Sequence, residues 1–185
     1  MARENKTRYA LLGMLALKPM TGYEMKGLIN KSVKYFWNES YGQIYPMLGT
    51  LQKEGLAEGT EEPGRPPRIR YAITEAGREA LRAWLAQPVD KAPLREELLL
   101  KLFFGLEARP EDLVAHLKLA LAREHETLAV YQEIEGRLRA QQPPRAQTPF
   151  SLLTVRKGIL NVQSNIAWCQ ESLALLQQKA NGAAD

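Results

Sequence analysis

The sequence predicts a mainly α-helical protein with one small β-hairpin, and two observations determine this fold class. First, residues 40–55 show a short helix pattern, 56–73 a hairpin pattern and 74–85 a further helix signal. That order is typical of a winged helix-turn-helix, which we place at residues 1–88. Second, apolar residues three and four positions apart fill most of the remaining chain, so we expect antiparallel or coiled-coil helices at 92–182.

Two helices are expected before the central one. Tyr9–Leu17 is an apolar helix pattern. Thr21 and Glu24 then form a capping box, in which each side chain satisfies the other residue's backbone N–H, so a second helix starts there. These two helices should support the third.

The third helix carries signals at both ends. Ser40 and Gln43 form a second capping box, and Gly55 suits the C-terminal cap. Pro46 lacks the N–H that bonds one turn back, so we expect it in the first turn or at a bend. The buried face should consist of Ile44, Met47, Leu48 and Leu51.

The opposite face of this helix is the candidate DNA-reading surface. A Gln side chain can read base edges in a major groove, while Ser, Tyr and Lys can hold phosphates. The alternative is a polar face that only meets solvent. The residues assigned to DNA here are Ser40, Tyr41, Gln43, Tyr45 and Lys53.

The hairpin is predicted to be a basic wing with strands at 56–62 and 68–73. Its second strand alternates, so Arg68 and Arg70 should point away from the core together with Arg65 at the tip. Such a finger suits a minor groove or phosphates. Alternatively, the acidic first strand pairs with these arginines across an ordinary solvated hairpin, through Glu58, Glu61 and Glu62.

After the hairpin, Thr74 is predicted to cap a helix that ends at Pro88. Further helices are predicted at 94–106, at 110–140 and after a Pro-rich loop. The last helix carries an unbroken heptad seam, which we interpret as the interface of a homodimer. The alternative is packing against the preceding helix of the same chain. A two-fold dimer predicts an inverted-repeat operator in double-stranded DNA. The seam comprises Leu152, Val155, Ile159, Val162, Ile166, Cys169, Leu173 and Leu176.

Composition excludes several classes of protein. The chain has 185 residues, 45% of them hydrophobic, and a net charge of +4 that adds weak support for a nucleic-acid partner. A single cysteine rules out an internal disulfide and fits a reducing, cytoplasmic compartment. The N-terminal apolar run is too short for a signal peptide or membrane span.

No catalytic constellation is present, so an enzyme and a cofactor are not expected. His116 and His125 fall in no metal or nucleophile motif, and a site built with Glu124 and Cys169 is only a remote alternative. Tyr23 and Tyr41 are interpreted as packing residues with a hydroxyl at the surface, because no base lies near them in sequence.

Four motifs together resemble the PadR family of transcriptional regulators: YALLGMLALKPMTGYEM, GQIYPMLGTLQKEGL, GRPPRIRYAITEAGR and the helix end at Trp84-Leu85. The resemblance covers residues 9–86 nearly without a gap, and the helical remainder is similar to the family's C-terminal dimerisation domain. It implies a repressor that a small molecule releases from DNA.

The resemblance also implies an apolar inducer site at the dimer centre or between the two halves. Aromatic residues that could line it are Phe103, Phe104, Tyr131 and Trp168, although ordinary core packing accounts for all four as well. A different class of function stays open, namely a winged helix that recruits proteins and does not read DNA.

Overall fold

The computed structural model describes residues 6–64, 68–90 and 95–182, without the side chains of 179–182. Its contacts separate into two compact units, Met1–Lys91 and Ala92–Asp185. None of the helices in these described ranges has the length and apolarity needed to cross a membrane. The mainly helical fold class with a small antiparallel sheet is as predicted.

The first unit has a winged-helix order. The helices are α1 (Thr7–Leu17), α2 (Gly22–Ser32), α3 (Tyr41–Lys53) and α4 (Glu75–Leu85), and the strands are β1 (Met20–Thr21), β2 (Ala57–Glu62) and β3 (Arg68–Ile73). The sheet is antiparallel in the order β1-β3-β2. The hairpin was predicted to within one residue. β1 was missed because two residues are too few to show alternation.

One apolar core holds α1, α2, α3 and the sheet together. Leu12, Met25, Ile44 and Leu48 have no exposed surface. The ring of Tyr9 stacks on that of Trp84 with centroids 4.7 Å apart, which fastens α4 to α1.

A close approach of backbones fixes the start of α4. A Cβ atom on Gly77 would lie 2.1 Å from the carbonyl oxygen of Leu56, so only glycine fits there. The Thr74 hydroxyl accepts the Gly77 N–H at 3.0 Å as the predicted cap and donates to the Gly55 carbonyl at 2.7 Å. The residues after α3, the start of the hairpin and the start of α4 therefore meet at one closely packed junction.

The second unit contains α5 (Glu97–Phe103), α6 (Pro110–Arg139) and α7 (Thr148–Gly182). α5 is shorter than the predicted helix at 94–106, whose first residue lies outside the described residues. A 3-10 turn at Gly105–Glu107 replaces its last turn. An apolar run indicates that a helix exists, but its ends depend on local backbone geometry.

The heptad seam of α7 is buried within its own chain, which corrects the prediction that it forms the dimer interface. Ile159 and Cys169 are 2% and 1% exposed without any partner chain. Tyr131 on α6 lies against Gly158, where a Cβ would come within 2.7 Å of the ring, and Asn165 donates to Glu124 at 3.0 Å. Val155, Val162 and Ile166 are also buried, and Leu152, Leu173 and Leu176 are half-buried.

The alternative from the sequence, packing against the preceding helix, is therefore what the structure contains. The two cross-helix contacts pair earlier residues of α6 with later residues of α7, so the helices are antiparallel. A regular seam requires a partner helix along its length, and the chain supplies one by reversing between residues 140 and 147.

Candidate nucleic-acid interface

The N-terminus of α3 is built by the predicted capping box. The Ser40 backbone N–H donates to Gln43 Oε1 at 2.8 Å. This bond commits the amide oxygen of Gln43, so its Nε2 group remains as a donor on an exposed side chain. A donor in this position can read the acceptors of a base edge, which are guanine O6 and N7, adenine N7 and thymine O4.

The two faces of α3 divide as the sequence predicts. Ile44, Leu48 and Leu51 are fully buried and Met47 is half-buried. Pro46 occupies the sixth helical position, in the second turn and not the first, and the helix continues through it. The opposite face is open to solvent at Ser40, Tyr41, Gln43, Tyr45 and Lys53.

Lys53 is the last residue of α3, and a rise of 1.5 Å per residue puts it roughly 20 Å from Ser40 along the helix axis. It therefore does not share a contact area with the other residues assigned to this face.

Three tyrosines form an exposed aromatic row beside the start of α3. The rings of Tyr23 and Tyr41 are stacked at 6.4 Å, and those of Tyr41 and Tyr45 at 6.1 Å. Tyr23 is 70% exposed, so its ring packs on Tyr41 at the surface and not in the core. A capped helix start positions Tyr23 next to α3, which sequence spacing alone cannot show.

A groove of about 400 Å³ separates this row from the wing. A Cβ on Gly22 would lie 2.7 Å from the Tyr45 ring, so glycine is needed for this close contact. Burial raises the pKa of Tyr71, and neighbouring Tyr45 raises it further. The lining residues are Thr21, Gly22, Tyr23, Tyr45, Arg68, Ile69 and Tyr71.

The two described wing arginines have different surroundings. Arg68 is exposed at the rim of the groove and has no ion pair among the described residues. Arg70 pairs with Glu62 on β2 and with Glu24 on α2. For Arg70, therefore, the structure contains the alternative of charge pairing across the hairpin. Arg65 lies outside the described residues.

The four aromatic candidates for an inducer site are not brought together. Phe103 and Phe104 meet edge to face at 5.1 Å and are 82% and 58% exposed. Tyr131 packs on Gly158, ten residues or roughly 15 Å along α7 from Trp168, so these two do not share a wall. Of the four, Phe104 borders a hollow of about 430 Å³ together with Leu100, Lys101, Leu113 and His116.

Within the described residues, no three His, Cys, Asp or Glu side chains are grouped to hold a metal ion. Of the set considered from the sequence, Glu124 accepts a hydrogen bond from Asn165 and His125 is exposed. Burial raises the pKa of the Cys169 thiol, followed by the nearby charge of Glu124. That thiol is therefore a protonated packing group in the interior of the helical unit.

A capped helix with an exposed donor face beside a hairpin that exposes Arg68 is typical of the winged-helix class of nucleic-acid-binding domains. Residues 11–83 match the sequence profile of the transcriptional regulator PadR-like family. Residues 94–177 match that of the virulence activator alpha C-terminal region. The chain belongs to the PadR-like family of transcriptional regulators, which are not enzymes.

Three relatives span nearly the whole chain. A probable transcriptional regulator of Mycobacterium tuberculosis is 28% identical, with 92% of this chain and 97% of that protein covered. The structure of the virulence activator AphA of Vibrio cholerae is 30% identical, with a TM-score of 0.77 and coverage of 93% and 98%.

The third relative is PadR of Bacillus subtilis, described as a negative transcriptional regulator and 24% identical over 92% of this chain and 97% of its own length. Its complex with operator DNA has a TM-score of 0.83, 22% identity and coverage of 94% and 99%. It has also been solved with p-coumaric acid, with a TM-score of 0.74, 23% identity and coverage of 92% and 94%. At this identity, the two complexes establish the shared fold alone.

Proposed function

We propose that the protein is a cytoplasmic, homodimeric repressor that binds an inverted-repeat operator in double-stranded DNA and is released by a small molecule. The observation that carries this proposal is that α3 exposes the Gln43 donor near its start and that its Tyr45 lines the same groove as Arg68, which has no ion pair among the described residues. The donor reads base edges and the guanidinium neutralises phosphate, so one surface provides both specificity and affinity.

The aromatic row extends this surface. The exposed rings of Tyr23 and Tyr45 flank the groove, and their apolar faces suit deoxyribose while their hydroxyls suit phosphate oxygens. Ser40 and Tyr41 belong to the same footprint at the start of α3. Arg65 at the wing tip joins it in the proposal, whereas Lys53 contacts DNA only at the periphery.

The dimer requires an interface other than the buried seam. In the second unit, Leu153 and Leu160 of α7 are 70% and 49% exposed. They lie seven residues apart, and exposed Ala167 follows after another seven, so the three share one face of the helix. α5 is also apolar at its surface, with Leu99, Leu100, Phe103 and Phe104 exposed. Exposed apolar surface on this scale is typical of an interface, so the outward faces of α5 and α7 are the proposed contact.

The small-molecule site is proposed at the hollow beside Phe104. Leu100, Leu113 and Phe104 provide apolar walls, Lys101 and His116 provide nitrogen groups for hydrogen bonds, and Glu107 and Asp112 add two carboxylates. This combination suits a flat aromatic compound that carries hydrogen-bonding groups. The p-coumaric acid of the Bacillus subtilis complex has that chemistry, which supports the choice of phenolic acids as first compounds for testing.

The test is selection of bound fragments from the source genome by the full-length chain, followed by addition of phenolic acids to the bound fraction. Enrichment of an inverted repeat and its release by an acid are expected. Uniform recovery of all fragments would contradict sequence-specific reading. The alternative, a protein-recruiting winged helix, predicts that no duplex is enriched and that Gln43 and Arg68 are unused surface residues.

A further inference from the structure

Arg70 lies where three parts of the first unit meet. In the middle strand β3, it is opposite Thr21 of β1 on one side and Thr60 of β2 on the other. Its side chain is two-thirds buried, whereas Arg68, two residues earlier on the same face, is exposed. The strand alternation predicts that both arginines project outward, but only Arg70 has ion-pair partners among the described residues.

All three nitrogens of the Arg70 guanidinium donate hydrogen bonds to acceptors of the first unit. Nε donates to Glu62, and the terminal nitrogens donate to Glu24 at 3.0 and 3.3 Å and to the Pro19 carbonyl at 3.1 Å. A second bond to Glu62 measures 3.4 Å. A planar fork bound at several points is held in one orientation, unlike a single exposed ion pair.

Glu24 connects this cluster to the start of α2. The same carboxylate that receives Arg70 accepts the backbone N–H of Thr21 at 2.8 Å, which is half of the α2 capping box. Glu62 lies at the outer end of β2, opposite Arg68 in register, yet its carboxylate bonds to Arg70. The cluster therefore joins the outer part of the wing to the N-terminus of α2.

The charge balance opposes a phosphate contact at Arg70. One positive guanidinium faces two carboxylates, so the cluster carries a net negative charge and would repel the DNA backbone. The partners also raise the pKa of Arg70, with Glu62 the larger cause and Glu24 the second, which agrees with a cation stabilised in place. Arg68 has no such neutralising partner among the described residues.

We propose that Arg70 is a positioning residue that fixes the wing against the N-terminus of α2 and thereby places Arg68 at the DNA. This role replaces the direct DNA contact expected for Arg70 from the sequence, and it rests on the proposed function of the α3 and wing surface. Without the clamp, the core still holds the inner part of the hairpin through Ala57 and Tyr71, but the outer part is held by its backbone ladder, and Arg68 samples positions away from the phosphate.

The decisive variants are Glu62→Gln and Glu24→Gln, because the two roles predict opposite signs. If Arg70 positions the wing, loss of either carboxylate loosens it, and affinity for the selected operator falls several-fold although a negative charge has been removed. If Arg70 contacts phosphate, the same variants free its charge, so affinity rises and the salt slope steepens by about one unit. Glu58→Gln is the matched control, with the same charge change at an exposed position of β2.

Arg70→Lys separates the roles a second time. An ammonium keeps the positive charge but cannot bridge two carboxylates and a carbonyl, so affinity should fall as in Arg70→Met. Retention of wild-type affinity and salt slope by Arg70→Lys would overturn the proposal.

Hydrogen exchange in the free protein gives a readout that does not involve DNA. Arg70→Met should speed exchange of the β1 and β3 amides, while Arg68→Met should not. Unchanged exchange in Arg70→Met would overturn the clamp. If the wild type binds no duplex but the exchange difference is present, the proposed function fails and the clamp stands.

Discussion

At the residue scale, short-range sequence patterns predicted the helix caps well, while the charge partners depended on tertiary structure. Ser40 and Gln43 lie three residues apart, so their bond follows from local geometry. Glu24 and Arg70 are 46 residues apart and meet only because β1 pairs with β3. No spacing rule identifies such a pair, and for that reason Arg70 was assigned to DNA.

Arg68→Ala should weaken binding to every duplex and lower the salt slope by about one unit, because one phosphate contact releases about one counterion. The measurement is affinity for operator and for unrelated DNA over a range of salt. Arg137→Ala, which removes another exposed positive charge on α6, is the control and should leave the slope unchanged. An unchanged slope in Arg68→Ala would remove this residue from the interface.

Gln43→Glu should preserve the α3 cap, since a carboxylate oxygen can still accept the Ser40 N–H, while removing the Nε2 donor. We therefore expect base preference to relax at one position per half-site, by about 1–3 kcal/mol for the preferred base. Affinity is compared across operators that vary at each position. The added negative charge should weaken binding to every operator, so base preference is taken from the ratio of affinities. A ratio unchanged from wild type would indicate that Gln43 contacts the backbone or only caps the helix.

Glu24 should make stability depend on acid pH. The Thr21 backbone N–H first, and then Arg70, lowers the pKa of Glu24 in the folded chain. A lowered folded pKa gives stabilisation that is present above the unfolded pKa and lost as pH falls through the folded one. Urea unfolding at pH 7 and pH 3 should thus show a smaller decrease in unfolding free energy for Glu24→Gln than for the wild type. Equal decreases would mean that Glu24 makes no such contribution.

At the element scale, the sequence revealed the seam of α7 but not the helix that covers it. Heptad spacing indicates that another helix packs along the whole apolar stripe of α7, but it does not show whether that helix belongs to the same chain or to another. The deciding feature is the chain reversal that brings α6 alongside, visible as the contact between Tyr131 and Gly158. The wing strands were predictable because their alternation and flanking turn residues are local signals.

Two neighbouring substitutions separate folding from dimerisation. Ile159→Asp puts a charge into the buried seam, so we expect the helical unit to lose several kcal/mol of stability. Leu160→Asp lies on the exposed face and should dissociate the dimer while the helix content and melting temperature of the isolated chain stay near wild type. Circular dichroism and light scattering measure the two effects.

The reverse pattern would contradict this assignment. If Ile159→Asp gave a stable folded monomer and Leu160→Asp a normal dimer, the seam would join two chains, as first expected from the heptad repeat.

At the scale of the whole molecule, the order of elements was enough to predict the fold class. The order of elements did not predict which side of each element faces a partner. Tyr23 and the apolar faces of α5 and α7 are examples, because their exposure depends on which surfaces the core and the α6–α7 pair have already covered. The candidate DNA surface was assigned from the sequence to α3, including Tyr41 and Tyr45, and to Arg68, whereas Tyr23 was not assigned to it.

The central claim is that the first unit binds DNA through exposed basic and polar groups. It is tested most directly by measuring affinity of the full-length dimer for the selected operator as a function of salt. The account predicts a straight decrease of log affinity with log salt, since bound cations replace condensed counterions on the phosphates. An operator affinity that does not change with salt would contradict it.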